Sequence, residues 1–503
     1  FISKIKPRLI GINTRCDSFP TSINLAREIK KKMPDIPIVL GGFHVTFVAS
    51  ETLKLFPFVD FVLKGEAEYS LLELVRAIEK GSDPGKVRGL VFRDGNRIIE
   101  REEPEFPESL DSLPLPAYHH YNDQLKSAGG ADKREIFINV GRGCPFHCEF
   151  CVCHKLYRGK YRLRTPENII REMKMLKEKY GIYRFSLGVD HFLVDRDYVE
   201  RFCNLLIKEK PGIAWGCNAR PENLDEKLIS LMKKSGLTSI FFGAESGSAR
   251  IQKVIRKNID IKGILPILKL CEKYDLFTIV AFIIGFPDET LSEMNSTIKL
   301  ALDCNTYFKV FSEIHSFSPM AGTALYDKVK NNLTWTGIFN DFAGGPASYI
   351  PANIKLVKKY PELFSVFYSP PIRDMSPELL YEFIRFYNNI LPQFPITLKV
   401  ALEDLKIEPD KLFRIFKKWA RKKEVLRSRI FKPSHADLLA EFPEFIRELY
   451  RKKKLSPVFM NVVLRGEVKR ANLKFSLAKK YVKKMGEGIS PLIIREMIEH
   501  KIG

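Results

Sequence analysis

Residues 141–151 read Gly-Arg-Gly-Cys-Pro-Phe-His-Cys-Glu-Phe-Cys, and a strand pattern, Ile136–Val140, comes directly before them. Cys144, Cys148 and Cys151 stand four and three positions apart. Three thiolates on one short loop can each bind one iron of a 4Fe–4S cluster, as closely spaced cysteines do in other iron–sulfur proteins. The fourth iron then has no protein ligand and is open to another molecule. We therefore predict that these three cysteines are metal ligands.

Other uses of these cysteines must be weighed. A Cys3His zinc site could take its fourth ligand from His147 or His154, but structural zinc sites usually pair two Cys-x2-Cys units, and the sequence has no second unit. Disulfides are disfavoured because the nine cysteines are an odd and scattered set. Cys153 is a spare ligand, a reactive thiol or a buried bystander, and we favour the last.

Strand and helix patterns alternate from residue 134 to residue 345. Helix patterns such as Pro166–Tyr180, Asp197–Lys208 and Leu224–Ser235 separate six apolar strand patterns, which are Ile136–Val140, Arg184–Leu187, Ile213–Asn218, Ser239–Ala244, Thr278–Ile284 and Val310–Phe317. Six βα units form most of a barrel, and barrels of this kind place their chemistry at the carboxyl ends of the strands. We predict a partial (βα)6 barrel over 134–345, with the cysteine loop after its first strand.

The cysteine loop, with Phe150 before its last cysteine, resembles the signature loop of the radical S-adenosylmethionine (SAM) enzymes. Three strand ends are also similar to this family: Gly243–Gly247 to its Gly-x-Glu-Ser-Gly, Ile284–Thr290 to a stretch near the adenine, and Phe317–Thr323 to its closing Pro-x-x-Gly-Thr. The resemblance implies that SAM binds the open iron through its amino and carboxylate groups.

The resemblance also implies a set of SAM-binding residues at the strand ends, namely Asp190, His191, Arg220, Glu245, Ser246 and Gly285. Family members often carry Gly-Gly-Glu or paired acids after the second strand, so His191 is a departure. The guanidinium of Arg220 can grip a carboxylate. Purely structural roles stay open for Arg220 and for Glu245, which can be a buried salt-bridge partner. No residue is assigned as catalytic.

Residues 1–100 show a second α/β pattern. Helix patterns at Thr21–Lys32 and Ala67–Glu79 separate short apolar strands at Leu9–Asn13, Ile36–Gly42 and Val59–Leu63. Near-continuous apolar strands that alternate with helices are typical of parallel sheets covered on both faces. We predict a partial doubly wound, Rossmann-like sheet with its ligand at the carboxyl ends of the strands.

The stretches 39–46 and 59–68 resemble the second half of the cobalamin-binding domain that precedes the radical domain in many of these enzymes. The resemblance implies cobalamin contacts from Gly41, Gly42, His44, Gly65 and Glu66. His44 can alternatively be a polar residue at a helix start without a ligand. The family's Asp-x-His-x-x-Gly segment belongs to a first βα unit that this chain lacks, so we expect an N-terminally incomplete domain with no lower-axial histidine.

Four prolines mark residues 101–133 as a linker. Residues 346–503 are expected to form a basic, mainly helical domain, in which Ser376-Pro377 signals a helix start. The stretch Tyr360–Pro371 resembles one found after the barrel in cobalamin-associated members. Its aromatic side chains are expected to pack against the barrel, with a substrate cavity as the alternative.

The 503 residues carry a formal net charge of +22, and residues 401–503 alone hold 26 Lys and Arg against 13 Asp and Glu. Such a surface can meet an anionic membrane, an acidic substrate or nucleic acid, although a solvated lysine-rich surface explains it as well. We rank a peripheral membrane contact above a nucleic-acid partner, which we do not expect for this chain. No apolar run reaches the roughly 18 residues of a membrane span. We expect a cytoplasmic protein that can associate with membranes.

The resemblance implies that SAM is cleaved reductively at the 4Fe–4S cluster to methionine and a 5′-deoxyadenosyl radical, with an electron donor such as a ferredoxin or a flavodoxin. With cobalamin, the implied reaction is methylation of an unactivated carbon in a small molecule, a lipid or a peptide. The alternative is radical ring closure or C–C bond formation on a lipid or natural product without methyl transfer. A non-catalytic cluster or nucleic-acid-binding protein is the least favoured hypothesis.

Overall fold

A computed structural model describes residues 5–129, 135–337, 349–423, 435–453, 455, 463–464 and 466–467. Its strands are β1 (Ile10–Asn13), β2 (Ile38–Gly41), β3 (Phe61–Leu63), β4 (Leu90–Asp94), β5 (Arg97–Glu100), β6 (Ile136–Asn139), β7 (Gly141–Arg142), β8 (Arg162–Leu163), β9 (Arg184–Gly188), β10 (Ala214–Ala219), β11 (Leu237–Glu245), β12 (Phe277–Ile284) and β13 (Val310–Ser316). The nine strands predicted from the sequence are all present, with ends that differ by two residues at most.

The α-helices alternate with the strands up to β13 and then follow one another. They are α1 (Phe19–Lys32), α2 (Phe43–Thr46), α3 (Ala49–Leu55), α4 (Glu68–Lys80), α5 (Asn122–Gly129), α6 (Cys153–Leu156), α7 (Pro166–Tyr180), α8 (Arg196–Glu209), α9 (Glu226–Lys234), α10 (Ala249–Val254), α11 (Ile261–Lys273), α12 (Leu291–Asn305), α13 (Ala324–Val329), α14 (Pro351–Lys359), α15 (Pro377–Ile390), α16 (Pro395–Leu405), α17 (Pro409–Ala420) and α18 (His435–Lys452).

The chain forms two compact units that interleave along the sequence. Unit 1 contains Phe1–Glu108, Gly143–Tyr161 and Phe317–Ile372, and unit 2 contains Ser109–Arg142, Arg162–Ser316 and Arg373–Gly503. The cysteine loop and the segment after β13 therefore group with the N-terminal sheet. The boundaries predicted at 100, 133 and 345 follow the chain linearly and stay a prediction.

Unit 1 contains a five-stranded sheet in the order β1-β2-β3-β4-β5. Its first three strands are parallel, as predicted. The antiparallel hairpin of β4 and β5 was missed by the sequence analysis. Its signal was nevertheless present, because Asp94 pairs with Arg97 across the two-residue turn Gly95-Asn96, in which Gly95 has φ +55°, and Gly-Asn is a typical two-residue hairpin loop.

The core of unit 1 is built by the N-terminal sheet together with the segment after β13. The aromatic residues Phe364, Phe367 and Tyr368 share this core with Phe19, Val45 and other buried side chains of the N-terminal region. The sequence analysis assigned the 360–371 aromatics to packing against the barrel, whereas the structure buries them in unit 1. The pattern predicted burial correctly but could not name the partner surface.

Unit 2 contains a sheet of six strands in the order β13-β12-β11-β10-β9-β6, and every neighbouring pair of strands is parallel. This arrangement confirms the predicted partial barrel sheet. Local signals explain the helices between its strands. For example, Thr165 caps α7 through the Asn168 N–H with proline at the first position, and Gly181 ends α7 in the left-handed conformation at φ +72°.

The predicted linker is partly helical. Helix α5 lies within 101–133, and the Tyr180 hydroxyl of α7 donates a hydrogen bond to Asn122 Oδ1 at 2.9 Å. Prolines before Ala117 favoured a linker, but the amphipathic helix after them was not recognised. This stretch thus packs on unit 2 from Ser109 onward.

The described part of the C-terminal region is helical, as predicted, from α14 through α18. Ser376 caps α15 and Pro377 is its first residue. A cluster of aromatic rings that includes Phe386, Phe416 and Phe442 joins α15, α17 and α18. Within the described residues no helix is long and apolar enough to cross a membrane. The prediction of a helical domain to residue 503 lies, beyond 467, outside the described residues.

Candidate functional site

The cysteine loop is closed by a glycine that no other residue can replace easily. Gly143 has φ +90°, and a Cβ atom there would collide with the backbone of Lys160, whose carbonyl carbon would lie at 3.0 Å. Within the loop the Cys151 N–H donates to the Cys148 carbonyl oxygen at 3.1 Å, and the Cys153 N–H donates to Cys151 Sγ at 3.4 Å. An N–H that points at a sulfur stabilises the thiolate and tunes the potential of a bound cluster.

Exposure separates the three predicted ligands from the other cysteines. Cys144, Cys148 and Cys151 are partly exposed, whereas the other six, which are Cys16, Cys153, Cys203, Cys217, Cys271 and Cys304, are buried. Burial raises the pKa of the Cys16 and Cys271 thiols to about 12. Such thiols stay protonated and inert, whereas metal ligands must be thiolates. Cys153 is 4% exposed, which agrees with the bystander interpretation.

The loop was also tested as a zinc site. His147 and His154 stack with ring centroids 3.7 Å apart. Among the residues that the structure describes, no group of three or more His, Cys, Asp or Glu side chains converges as ligands of a single ion would. The donor set, three partly exposed cysteines on one loop, fits an iron–sulfur cluster, in which each thiolate binds a different iron.

The end of β9 carries Asp190, which is exposed, and His191, which is 2% exposed. The His191 ring is held by Asn223, since Nε2 and Asn223 Oδ1 are 3.1 Å apart. Burial lowers the pKa of His191 to about 4, the Asn223 hydrogen bond opposes that shift, and Arg220 and Lys257 add to it. His191 is therefore a neutral imidazole at pH 7, and a contact of His191 with SAM stays a prediction.

Arg220 and Glu245 lie at the ends of β10 and β11 and share a neighbour, Lys257. The Arg220 guanidinium donates to Glu222 Oε1 at 2.6 Å and to the Lys257 carbonyl oxygen at 2.5 Å. The Lys257 Nζ atom lies 3.0 Å from Glu245 Oε1, and these two side chains are only 14% and 9% exposed. The structure thus connects two of the predicted strand ends through Lys257.

The turn after β11 is held by residues that the sequence analysis missed. Glu245 has φ +63°, and the buried Gln252 side chain donates to the carbonyl oxygens of Ala244 and Ser246, each at 2.7 Å. The Ser246 hydroxyl lies 3.2 Å from Thr297 Oγ1. Lys257 and Gln252 follow the Gly-x-Glu-Ser-Gly motif by a dozen residues at most, but nothing in their local pattern indicates that they return to it.

Glu289, in the turn after β12, is a further residue that the sequence analysis did not include among the site residues. Its Oε2 accepts the Gly285 N–H at 2.6 Å and the Phe286 N–H at 3.1 Å, and the residue is fully buried. Burial raises the pKa of Glu289 to about 8, although both backbone hydrogen bonds oppose the shift. A largely protonated Glu289 therefore shapes the turn at Gly285, which has φ +80°.

The predicted cobalamin residues lie at the carboxyl ends of β2 and β3 in unit 1, beside the end of β1. Gly42 has φ +109°, and a Cβ atom there would collide with Asn13 Oδ1 and with the backbone of Thr14. The Thr14 N–H donates to the Gly41 carbonyl oxygen at 2.7 Å, and the Gly65 N–H donates to Thr46 Oγ1 at 3.0 Å. The three loops are therefore tied to one another at this edge, with Glu66 6% exposed.

His44 is used for packing in this structure. Its Nε2 lies 2.9 Å from the Leu363 carbonyl oxygen, and its ring centroid is 4.5 Å from that of Phe19. Burial lowers the pKa of His44 to about 4, and the hydrogen bond to Leu363 opposes the shift. The neutral ring is thus an internal anchor of α2, and a direct cobalamin contact by His44 stays a prediction.

Comparison with known protein families agrees with the two domains predicted from the sequence. The family model of the B12 binding domain matches residues 1–75, and that of the radical SAM superfamily matches residues 138–301. An uncharacterized methyltransferase of Pyrococcus horikoshii is 30% identical over 338 residues, which are 67% of this chain and 72% of that protein. The anaerobic magnesium-protoporphyrin IX monomethyl ester cyclase of Rubrivivax gelatinosus is 30% identical over 311 residues, 60% of this chain and 56% of the cyclase.

The fold also matches a solved structure. The cobalamin-dependent SAM radical enzyme OxsB with aqua-cobalamin bound has a TM-score of 0.57 at 16% identity, over 94% of this chain and 76% of that one. At this identity the likeness concerns the fold alone. From the two family matches and the 30% identical relative, the chain belongs to the radical SAM superfamily, in the group with an N-terminal B12-binding domain, and its cofactors are a 4Fe–4S cluster, SAM and cobalamin.

Proposed function

We propose that this protein is a cobalamin-dependent radical SAM methyltransferase that acts on an unactivated carbon. The observation that carries the proposal is the presence of both a B12 binding domain at 1–75 and a radical SAM domain at 138–301 on one chain. The relative from Pyrococcus horikoshii is named a methyltransferase, and its 30% identity with this protein extends over 67% of this chain.

When bound, the cluster supplies the electron for SAM cleavage and cobalamin supplies the methyl group. Cys144, Cys148 and Cys151 would hold three irons and leave the fourth without a protein ligand. The Cys153 N–H that points at Cys151 Sγ would stabilise one of these thiolates.

The strand ends of unit 2 offer charges that suit the methionyl part of SAM. Glu245 and Asp190 carry carboxylates for its ammonium group, and Arg220 and Lys257 carry cations for its carboxylate. In the structure Lys257 is already paired with Glu245 at 3.0 Å, and Arg220 is paired with Glu222 at 2.6 Å. When SAM binds, its ammonium and carboxylate groups would replace the present partners of these side chains. The buried charges would then be paired both before and after SAM binds.

A second candidate function is radical ring closure without methyl transfer. It is supported by the relative from Rubrivivax gelatinosus, named a cyclase, at 30% identity over 60% of this chain. The chain spans 56% of that cyclase, so the likeness concerns the shared core of the two proteins.

Product analysis separates the two candidates. The protein is reconstituted anaerobically with iron, sulfide and cobalamin, reduced, and given SAM with a labelled methyl group, beside Cys148→Ala and the matched control Cys153→Ala. Methyl transfer predicts both 5′-deoxyadenosine and S-adenosylhomocysteine, the latter dependent on cobalamin. Formation of 5′-deoxyadenosine alone would favour ring closure, and no product from SAM would refute both.

We propose further that the basic C-terminal helices contact an anionic lipid surface. A cleft of about 350 Å³ between α17 and α18 has apolar and aromatic walls and four lysines at its rim; it is lined by Ile415, Lys418, Trp419, Lys422, Lys423, Phe445, Glu448, Leu449 and Lys452. Lys423 is balanced by Glu444 at 2.7 Å, but the lining holds a clear excess of cations. Apolar walls beneath a cationic rim suit lipids with anionic headgroups.

Vesicle co-sedimentation tests this contact. Binding to vesicles with phosphatidylglycerol but not to vesicles of phosphatidylcholine alone is expected, and it should weaken as salt is raised. Lys418→Glu with Lys422→Glu should abolish it, whereas Lys174→Glu on α7 should not. Equal binding to both vesicle types, or no effect of the double variant, would contradict the proposal.

A further inference from the structure

The segment directly after β13, residues 317–337, touches two functional loops of unit 1; we call it the linking segment. Its turn at Met320–Tyr326 is rigid, because the Thr323 hydroxyl donates to the Met320 carbonyl oxygen at 2.8 Å and accepts the Tyr326 N–H at 3.1 Å. Ala321 is 5% exposed and belongs to the core of unit 1. The turn is therefore fixed both internally and against the unit.

On one side the linking segment packs against Phe47, close in sequence to the predicted cobalamin residues Gly42 and His44. Gly322 has φ +91°, and a Cβ atom there would lie 2.5 Å from the Phe47 ring. Phe47 directly follows α2, and α2 begins at the residue after Gly42. Gly322 therefore packs at the C-terminal end of α2, the short helix that begins directly after the predicted cobalamin residue Gly42.

On the other side the linking segment holds the cysteine loop. The Leu325 N–H, in the first turn of α13, donates to the Glu149 carbonyl oxygen at 3.0 Å. The Glu149 side chain, only 10% exposed, pairs with Lys328 at 3.4 Å. Glu149 stands between two predicted cluster ligands, Cys148 and Cys151.

The two contacts are close together along the chain. Leu325 follows Gly322 by three positions, which span about 11 Å at most. The Phe47 end of α2 and the middle of the cysteine loop are therefore bridged by one short, hydrogen-bonded turn, so a displacement of one loop strains the other.

We propose that the linking segment couples the cobalamin edge to the cysteine loop, so that occupancy of one stabilises the geometry of the other. Gly322 and Phe47 are positioning residues in this coupling, because neither is among the predicted ligands. The proposal rests on the cofactors of the family and on their assignment to unit 1. It does not depend on methyl transfer, so it is tested without turnover.

Hydrogen exchange measured by mass spectrometry gives the test. Protein with its reconstituted cluster is compared with and without hydroxocobalamin, and exchange is followed in peptides of the cysteine loop, residues 143–161. Cobalamin should slow exchange there by about fivefold, the low end of ordinary coupling between sites. Because coupling is reciprocal, protein without iron should bind hydroxocobalamin about fivefold more weakly.

Two variants and one matched control make the test specific. Gly322→Ala should abolish both effects, and Phe47→Ala should weaken them without adding backbone strain. Gly337→Ala serves as the control, because Gly337 also has a positive φ, +72°, but a Cβ atom there would lie 3.8 Å from the nearest atom, Trp335 Nε1. It adds comparable strain without a collision and should keep the coupling.

Several results would overturn the proposal. Wild-type protein that binds hydroxocobalamin with unchanged exchange at 143–161, or that does not bind it, contradicts the coupling. Full coupling in both Gly322→Ala and Phe47→Ala would show that the linking segment does not carry it. Coupling in a protein that makes no S-adenosylhomocysteine would leave this inference standing while the proposed methyl transfer fails.

Discussion

The ion pair of Lys257 and Glu245 offers a quantitative test of the strand-end network. Nζ and Oε1 lie 3.0 Å apart, with side chains 14% and 9% exposed. Lys257→Met keeps a stem of similar length but leaves the Glu245 carboxylate without this partner. Removal of one member of a buried ion pair costs about 3–5 kcal/mol. We expect about 3 kcal/mol here, the low end of that range, because both side chains keep a small exposed fraction that water can solvate.

A surface pair of equal length is the matched control. Lys174 and Glu209 also lie 3.0 Å apart, but their side chains are 45% and 32% exposed. Lys174→Met should cost about 0–1 kcal/mol, since water screens exposed pairs. Adding Glu245→Gln to Lys257→Met should recover much of the loss, because the uncompensated charge is then removed.

Urea unfolding followed by tryptophan fluorescence measures these differences. Trp215, in the strand next to β11, is fully buried and reports on this part of unit 2. Calorimetric SAM binding to the reconstituted protein should also weaken in Lys257→Met. If Lys257→Met and Lys174→Met lose the same small stability, and the double variant shows no recovery, the buried pair is no stronger than a surface pair and the reasoning fails.

Three further predictions concern single residues. Cys148→Ala should lose bound iron after reconstitution and Cys153→Ala should retain it; equal iron content in both would contradict the ligand assignment. Gly42→Ala should destabilise the protein by about 2 kcal/mol or more through positive φ and collision, measured as a lower thermal midpoint, with Gly81→Ala in open space at φ +62° as its control. Glu289 has a folded pKa of about 8, above its value of 4.5 in the unfolded chain, so its protonated form favours the fold. Its contribution is full below pH 4.5 and is lost as pH rises to about 8. Glu289→Gln should flatten that pH dependence of the urea midpoint, and an unchanged slope would argue against a buried neutral acid.

Much of the fold followed from local patterns. Apolar runs separated by capped helices predicted β6 and β9 through β13, and the structure confirms their order as one parallel sheet. The hairpin of β4 and β5 was missed, although Gly95-Asn96 signalled it, because a continuing βα alternation was assumed over residues 1–100. Helix α5 was missed because preceding prolines favoured a linker. Both misses concern short elements whose pairing or packing partner is needed for stability.

The candidate site divides in the same way. The spacing of Cys144, Cys148 and Cys151 predicts a cluster loop because all three ligands lie within eight residues, and the strand-end motifs predict where SAM-binding groups lie. The sequence alone therefore indicated the family and the cofactors, and it predicted a set of site residues. Those inferences need only short-range spacing and apolar periodicity.

The tertiary structure decided what these residues contact. His44 bonds to Leu363, which is 319 positions away, Gly322 packs on Phe47, and Lys257 returns to Glu245. The hydrophobic periodicity of a short segment does not predict such pairs, because each pair depends on how segments distant in sequence pack together. That packing places the segment after β13 in unit 1 with the cysteine loop, and it buries the His44 ring against Phe19 and the Leu363 carbonyl group, which the sequence did not predict.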